Sequence, residues 1–222
     1  MSAPVRLALF DCDGTLVDSQ ANICRAMEEA FVISKLAPPS REAIRRIVGL
    51  SLVEAVAGLL PEADGALHRS LAETYKATFF RLRTSGEMDA EPLFEDMAET
   101  LATLRDSGWT LGVATGKSDR GLAHILAHHG LTDHFVTLQT ADRHPSKPHP
   151  SMVETAMAEA TALPENTVMI GDTSYDMLMA RAAGVRALGV AWGYHPPHEL
   201  TEAGAHAVAE HVARLPFHLE AA

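Results

Sequence analysis

The chain has 222 residues, a formal charge of −11 at neutral pH, 47% hydrophobic residues and 21% charged residues. That composition is ordinary for a soluble globular protein, and the acidic excess excludes a duplex nucleic-acid binder, which needs a basic face. No run approaches the ~20 unbroken apolar residues of a membrane helix, so neither nucleic acid nor membrane is expected as a partner.

The segment MSAPVR leads directly into the first strand, without the apolar stretch and cleavage site of a secretory leader. Cys12 and Cys24 form neither a disulfide framework nor a metal-ligand spacing. Both features predict a reduced, cytoplasmic setting. The run "LALF" reads as a buried parallel strand, and it ends in two carboxylates, Asp11 and Asp13, followed by Gly14.

Residues 18 to 85 then read as almost entirely helical. Ile23, Met27, Ala30 and Phe31 share one helix face, and Leu67, Leu71, Tyr75 and Phe79 share another. Two shorter helical pieces, Ile44 to Val48 and Leu52 to Leu60, are joined at Gly49. A helix through Leu93, Met97, Leu101 and Leu104 is expected to stop at Gly108. After it come strand "TLGVAT", a helix through Leu122 and Leu126, strand "FVTLQTA", and a Pro-rich loop. A helix near 151–162, strand "TVMIGD", a helix near 174–183 and strand "ALGVAW" complete the pattern. Such alternation implies right-handed βαβ units. The predicted class is α/β: a Rossmann-like core with a mainly parallel sheet flanked by helices, plus a small all-α cap. The core would be 1–14 and 88–222, and the cap 15–87, with linkers after Asp13 and around Ser85 to Pro92.

Ligands of open parallel sheets bind beyond the carboxyl ends of the strands, and four strand ends carry polar motifs. They are Asp11 with Asp13, then Thr115 with Gly116 and Lys117, then Lys147 in "HPSKPHP", and finally Asp172 with Asp176 in "GDTSYD". Asp13-Gly14 alone would read as a turn, and Asp172 and Asp176 alone as acids at a helix N-terminus. Together, in this order, the four motifs resemble those of the haloacid dehalogenase (HAD) superfamily of phosphohydrolases, over essentially the whole chain. The insert after the first motif resembles the subgroup with a helical cap there. "VATGKSDRGL", "SKPHP" and "GVAWGYHPPHEL" look most like phosphoglycolate phosphatase-type members.

The resemblance implies Mg2+-dependent hydrolysis of a small phosphorylated metabolite, with 2-phosphoglycolate the first substrate guess. The residue types fit that chemistry. Asp11 would attack phosphorus to give an aspartyl-phosphate, and Asp13 would protonate the leaving oxygen and then activate water. A carboxylate near a phosphate dianion needs a cation beside it, and a hard, oxygen-liganded ion suits the set. Asp11 and Asp172 would supply carboxylate ligands to Mg2+. The resemblance adds the Asp13 carbonyl, with Asp176 supporting from behind. Thr115, Gly116, Gly14 and Lys147 would hold the phosphoryl oxygens. Substrate choice would lie in the cap, where "RRIVGLSL" is expected to face the site. Arg45, Arg46, Gly49, Ser51 and Lys76 are candidates there, and Lys117 and Arg120 on the core. Each of these charges reads equally as helix surface.

Other residues read as structural. His124 and His128 lie one helical turn apart without a third ligand, and His144 and His149 flank Lys147 as loop residues. Cys12 alternates into the core. Trp192 and Tyr194 read as loop packing, with the core–cap boundary as the alternative place. The segment "EPLFEDM" departs from relatives by lacking a Pro-Gly turn, a difference at the cap hinge. Competing functions are a phosphatase of sugar phosphates, nucleotides or pyrophosphate, a phosphomutase, a 2-haloacid dehalogenase, and a silent binding protein. Asp13 and Asp172 argue against the dehalogenase, and the full set of acids against the silent binder. The expected assembly is a monomer or homodimer.

Overall fold

A computed structural model describes residues 4–220. Met1 to Ala3, the start of the segment scanned above for a leader, lie outside the described residues. The elements are β1 (Arg6–Phe10), α1 (Gln20–Ile33), α2 (Arg41–Ile47), α3 (Leu52–Leu59), α4 (Gly65–Thr84) and α5 (Met97–Asp106). Then follow β2 (Trp109–Thr115), α6 (Asp119–His128), β3 (Thr137–Thr140), α7 (Ser151–Ala160), β4 (Thr167–Gly171) and α8 (Ser174–Ala182). The chain closes with β5 (Arg186–Val190), α9 (Pro197–Glu202), β6 (Ala207–Ala209) and α10 (Leu215–Glu220). Among the described residues no helix is long and apolar enough to cross a membrane.

The strands form one sheet in the order β3-β2-β1-β4-β5-β6, with every pairing parallel. Strand order reverses at β1, so a crevice opens beyond the carboxyl ends of β1 and β4. β1 is apolar on both faces because both are covered. Ala8 and Phe10 join Leu101, Leu122 and Leu215 in one apolar cluster, while Leu7 and Leu9 join Met152, Met177 and Leu200 in another. A third cluster belongs to α1–α4 and includes Ile23, Met27, Phe31, Ile44, Val56 and Leu71.

Local chemistry sets several boundaries. The side chains of Ser40, Asp64, Ser118 and Thr173 accept backbone N–H groups at the starts of α2, α4, α6 and α8. Gly108, at φ +84°, follows α5 in the left-handed conformation, as its sequence position predicts. α5 differs at its other end, starting at Met97 rather than Leu93. Leu93 instead bridges Val17, and Asp18 donates to the Pro92 carbonyl, because Leu93 and Phe94 bury themselves against the core beneath β1. β3 is shorter than "FVTLQTA", covering only Thr137–Thr140.

Candidate active site

β1 and β4 deliver the central acids side by side. Asp11 follows β1 and extends its pairing, donating its N–H to the Ile170 carbonyl at 2.9 Å. Asp172 follows β4, and Asp176 lies one turn into α8. Carboxylate oxygens of Asp11, Asp172 and Asp176 lie within 4.8 Å of one another, all buried. One ammonium stands among them. Lys147 Nζ lies 2.6 Å from Asp176 Oδ1 and 3.0 Å from Asp11 Oδ1, with its side chain fully buried. Three carboxylates against one buried lysine leave a local negative excess.

The two Asp11 oxygens differ. Oδ1 accepts from Cys12 N at 2.6 Å and from Lys147. Oδ2 is buried and has no partner. Burial, partly opposed by Lys147 and reinforced by Asp176 and Asp13, pushes the Asp11 carboxyl up to about 7. Burial and then the charges of Asp11 and Asp176 hold Asp172 well above the carboxylate range. Burial would lower the Lys147 ammonium, but Asp11 and Asp176 overcome it and raise it. A buried charge excess with oxygen-only donors fits a hard divalent cation.

Asp176 has little capacity left for such an ion. Its Oδ1 takes Lys147, and its Oδ2 accepts from Thr173 N–H and Oγ1 in a capping box. Asp172 is oriented by Thr15 Oγ1, donating at 2.8 Å, and by Tyr194 N–H at 2.9 Å. Asp13 is 7% exposed. Its Oδ1 accepts from Lys117 Nζ at 2.6 Å and from Ser19 Oγ, and Ser19 Oγ in turn lies 3.4 Å from Tyr194 Oη. Lys117 is thereby raised, the pull of Asp13 outweighing its burial.

Gly14 lies at φ +82°, and a Cβ there would collide with Asp172 and Tyr194. Thr115 ends β2 with its Oγ1 accepting from Lys117 N–H at 3.2 Å. A Cβ on Gly116 would lie 2.7 Å from the carbonyl oxygens of Gly49 and Leu50, so the loop between α2 and α3 already presses on the end of β2. Ser51 N–H donates to Ser146 Oγ at 2.8 Å across the same boundary.

The substrate candidates separate into two groups. Gly49, Ser51, Lys76, Lys117 and Arg120 line a cavity of about 630 Å³ that starts at Asp11 and Asp13. Arg45 and Arg46 do not line it. Arg46 turns instead to Glu199 of α9, 2.7 Å away, while its carbonyl meets Tyr175 Oη and His195 Nε2. Arg46 is thereby directed to the core rather than the cavity, while Arg45 Nε is buried without a hydrogen-bond partner. Lys76 pairs with Glu73 at 2.8 Å.

His124 and His128 stack at 6.3 Å. Among the described residues, only the three aspartates form a group of three or more metal-ligating side chains. His144 bonds Gln139 and Ser151, and His149 accepts from Ser151 N–H. Cys12 is buried in the core as strand alternation predicts. Trp192 does tie a loop, donating to the Thr15 carbonyl, but Tyr194 does more, positioning Asp172. Ser19, Thr15, Thr173 and His195 are also part of the support; the first three are themselves letters of the motifs after β1 and β4, while His195 carries no such signal.

A family model described as "Haloacid dehalogenase-like hydrolase" matches residues 8–190. "Probable phosphatase IndB" of Dickeya dadantii is 38% identical over 202 residues, covering 89% of this chain and 86% of that protein. A "Phosphoglycolate phosphatase" of Vibrio vulnificus is 27% identical over 219 residues, covering 95% and 94% respectively. The crystal structure of a hydrolase from Pseudomonas syringae superposes with a TM-score of 0.84 at 26% identity, over 97% of this chain and 98% of that one.

Proposed function

The chain belongs to the haloacid dehalogenase-like hydrolase family, and from that premise we propose that it is a divalent-metal-dependent phosphatase of small phosphate monoesters acting through an aspartyl-phosphate on Asp11. The observation that carries this reading is the asymmetry of Asp11, one oxygen fixed by Cys12 and Lys147 and the other buried and unpartnered. A fixed carboxylate with one free oxygen is a pre-oriented nucleophile.

Asp11 attacks phosphorus, the bond from phosphorus to the ester oxygen breaks, and Asp13 gives the departing alcohol its proton. Asp13 then takes a proton from water as the water oxygen bonds phosphorus and Asp11 is released with inorganic phosphate. For this, Asp13 must exchange its Lys117 contact for a proton, and Ser19 holds its carboxyl in place meanwhile. Thr115 Oγ1, the Gly116 N–H and Lys147 are the assigned donors to the phosphoryl oxygens; Gly14, expected from the sequence to join them, instead gives its N–H to the Val17 carbonyl at 2.9 Å and serves the turn. Asp11, Asp172 and the Asp13 carbonyl would hold Mg2+, which when bound supplies charge neutralisation at the phosphate. Asp176 keeps Lys147 and the start of α8 in position. In this reading residues 15–87 form a cap over a core of 1–14 and 88–222, a division supported by the separate apolar cluster of α1–α4.

2-Phosphoglycolate is the substrate that the sequence motifs suggest, and the likeness to the Vibrio phosphoglycolate phosphatase supports it. The test is phosphate release from a panel of esters in Mg2+ and in EDTA, with Asp11→Asn as control. Release that needs both the metal and Asp11 supports the reading. Release that survives EDTA or Asp11→Asn contradicts it.

A further inference from the structure

The loop between α2 and α3 presses on Gly116, and Ser51 N–H donates to Ser146 Oγ across the same boundary. The loop itself contributes little to that placement. Gly49 lies at φ +99°, a residue type open to many conformations, and α2 has only seven residues, too few for a helix to stand alone. The last carbonyls of a helix have no partner inside it. In α2 the Arg45 and Ile47 carbonyls accept from the N–H groups of Val48 and Leu50, just beyond the helix. The Arg46 carbonyl is met from the core instead. Tyr175 Oη donates to it at 3.1 Å, and His195 Nε2 lies 3.3 Å away.

The surroundings of His195 fix which nitrogen carries its proton. The residue is buried, and Nδ1 faces the Ser174 backbone N–H at 3.1 Å. A backbone N–H only donates, so Nδ1 accepts and the proton stands on Nε2, beside the Arg46 carbonyl. The two donors also support each other, their rings meeting edge-on with centroids 5.5 Å apart. Both are anchored at the end of β4. Tyr175 lies in the first turn of α8, and His195 N–H donates to the Asp172 carbonyl at 3.2 Å. A Cβ on Gly49 would lie 3.2 Å from Thr173 Oγ1, so the loop rests on the same segment.

We propose that Tyr175 and His195 are positioning residues for substrate binding: by holding the Arg46 carbonyl they cap α2 and seat residues 49–51 at Gly116. They act through the loop and not on the reacting atoms. The proposal rests on the phosphatase reading and adds to it the residues that set the substrate side of the site. The contact is to the backbone of Arg46, so the Arg46 side chain is not required for it. Losing a donor loosens the loop and weakens substrate binding, while Asp11, Asp13 and Lys147 keep their places.

The test combines kinetics on the best ester of the panel with hydrogen exchange of the peptide spanning 44–52 in Mg2+ without substrate. Tyr175→Phe removes one hydroxyl. His195→Asn places its amide near the position of Nδ1 and stops short of Arg46, whereas His195→Gln reaches the position of Nε2 with an N–H. Tyr175→Phe and His195→Asn should each raise KM roughly fivefold, the worth of one hydrogen bond, with kcat within about twofold. Exchange in 44–52 should quicken in both, and His195→Gln should restore KM and exchange towards wild type. Tyr175 is partly exposed, so its variant reports even where His195→Asn fails to fold. KM and exchange unchanged in Tyr175→Phe and His195→Asn, or kcat lost at constant KM, overturns this inference and leaves the phosphatase reading standing. A His195→Gln variant as impaired as His195→Asn does the same. No release by the wild type from any ester overturns the phosphatase reading, and this inference with it.

Discussion

Replacing Asp172 by asparagine should stabilise the metal-free protein while removing its response to Mg2+. Asp172 faces Asp11 and Asp176 with carboxylate oxygens inside 4.8 Å. At an effective dielectric of 20, each such pair costs about 3.5 kcal/mol. Lys147 offsets roughly one of the two, and an asparagine that satisfies only one of Thr15 and Tyr194 loses about 1 kcal/mol. The net gain is about 2 kcal/mol, or about 4–8 °C in Tm for a chain of this size. The pH dependence has a definite sign. Burial raises the Asp11 carboxyl from 3.8 to about 7, so its charge penalty in the folded state is absent below the unfolded value. It grows as pH rises between those two values and is complete above the folded one. The variant's advantage should therefore be largest at pH 8 and shrink towards pH 5. Wild type in Mg2+ at ~100 times its Kd should gain about 2.7 kcal/mol, and the variant much less. Thermal melts with EDTA and with Mg2+ at both pH values are the assay. A variant that melts at or below wild type in EDTA at pH 8, and still gains fully from Mg2+, would refute the reasoning.

Other substitutions follow from single contacts. Lys117→Met leaves Asp13 with Ser19 alone and should cost about 3 kcal/mol, seen as a Tm lower by about 6–12 °C. An unchanged melt would mean that the pair does not form in solution. Gly116→Ala places a methyl 2.7 Å from two backbone carbonyls and should push the α2–α3 loop away. A roughly tenfold rise in KM is expected, about 1.4 kcal/mol, with a smaller change in kcat. Asp13→Asn should lower kcat by ~10²–10⁴-fold in the same phosphate-release assay, with the Mg2+-induced rise in Tm retained. Arg46→Ala breaks a largely exposed pair worth ~0–1 kcal/mol. It should leave kcat/KM within about twofold, where a substrate contact would lose far more.

What could be read from the sequence depended on contrast. A buried parallel strand is an unbroken apolar run, so Asp11, Thr115 and Asp172 stand out at strand ends. The supporting contacts offer no such contrast. Tyr194 and Thr15 reach Asp172 from positions far apart in the chain, and nothing near Arg46 in sequence points to Glu199, 153 residues later. Periodicity also misplaced one residue. Leu93 sits at helical spacing from Met97, yet its partner is Val17, because apolar spacing reports burial without naming what buries it. β6, three residues long, is too short for any period to register. Lys117 was readable only as a charge at a helix start, and its pairing with Asp13 emerges only once β1 and β2 lie side by side.

The central claim is that Asp11 carries the phosphoryl group, and the most direct measurement is acid quenching during turnover followed by mass spectrometry of the Asp11 peptide. With Mg2+ and a turned-over ester, phosphate should be found on Asp11. Reaction in 18O-labelled water should then place the label in released phosphate and not in the aspartate. Turnover with Asp11 unmodified, or with 18O entering the Asp11 carboxylate, would contradict the account.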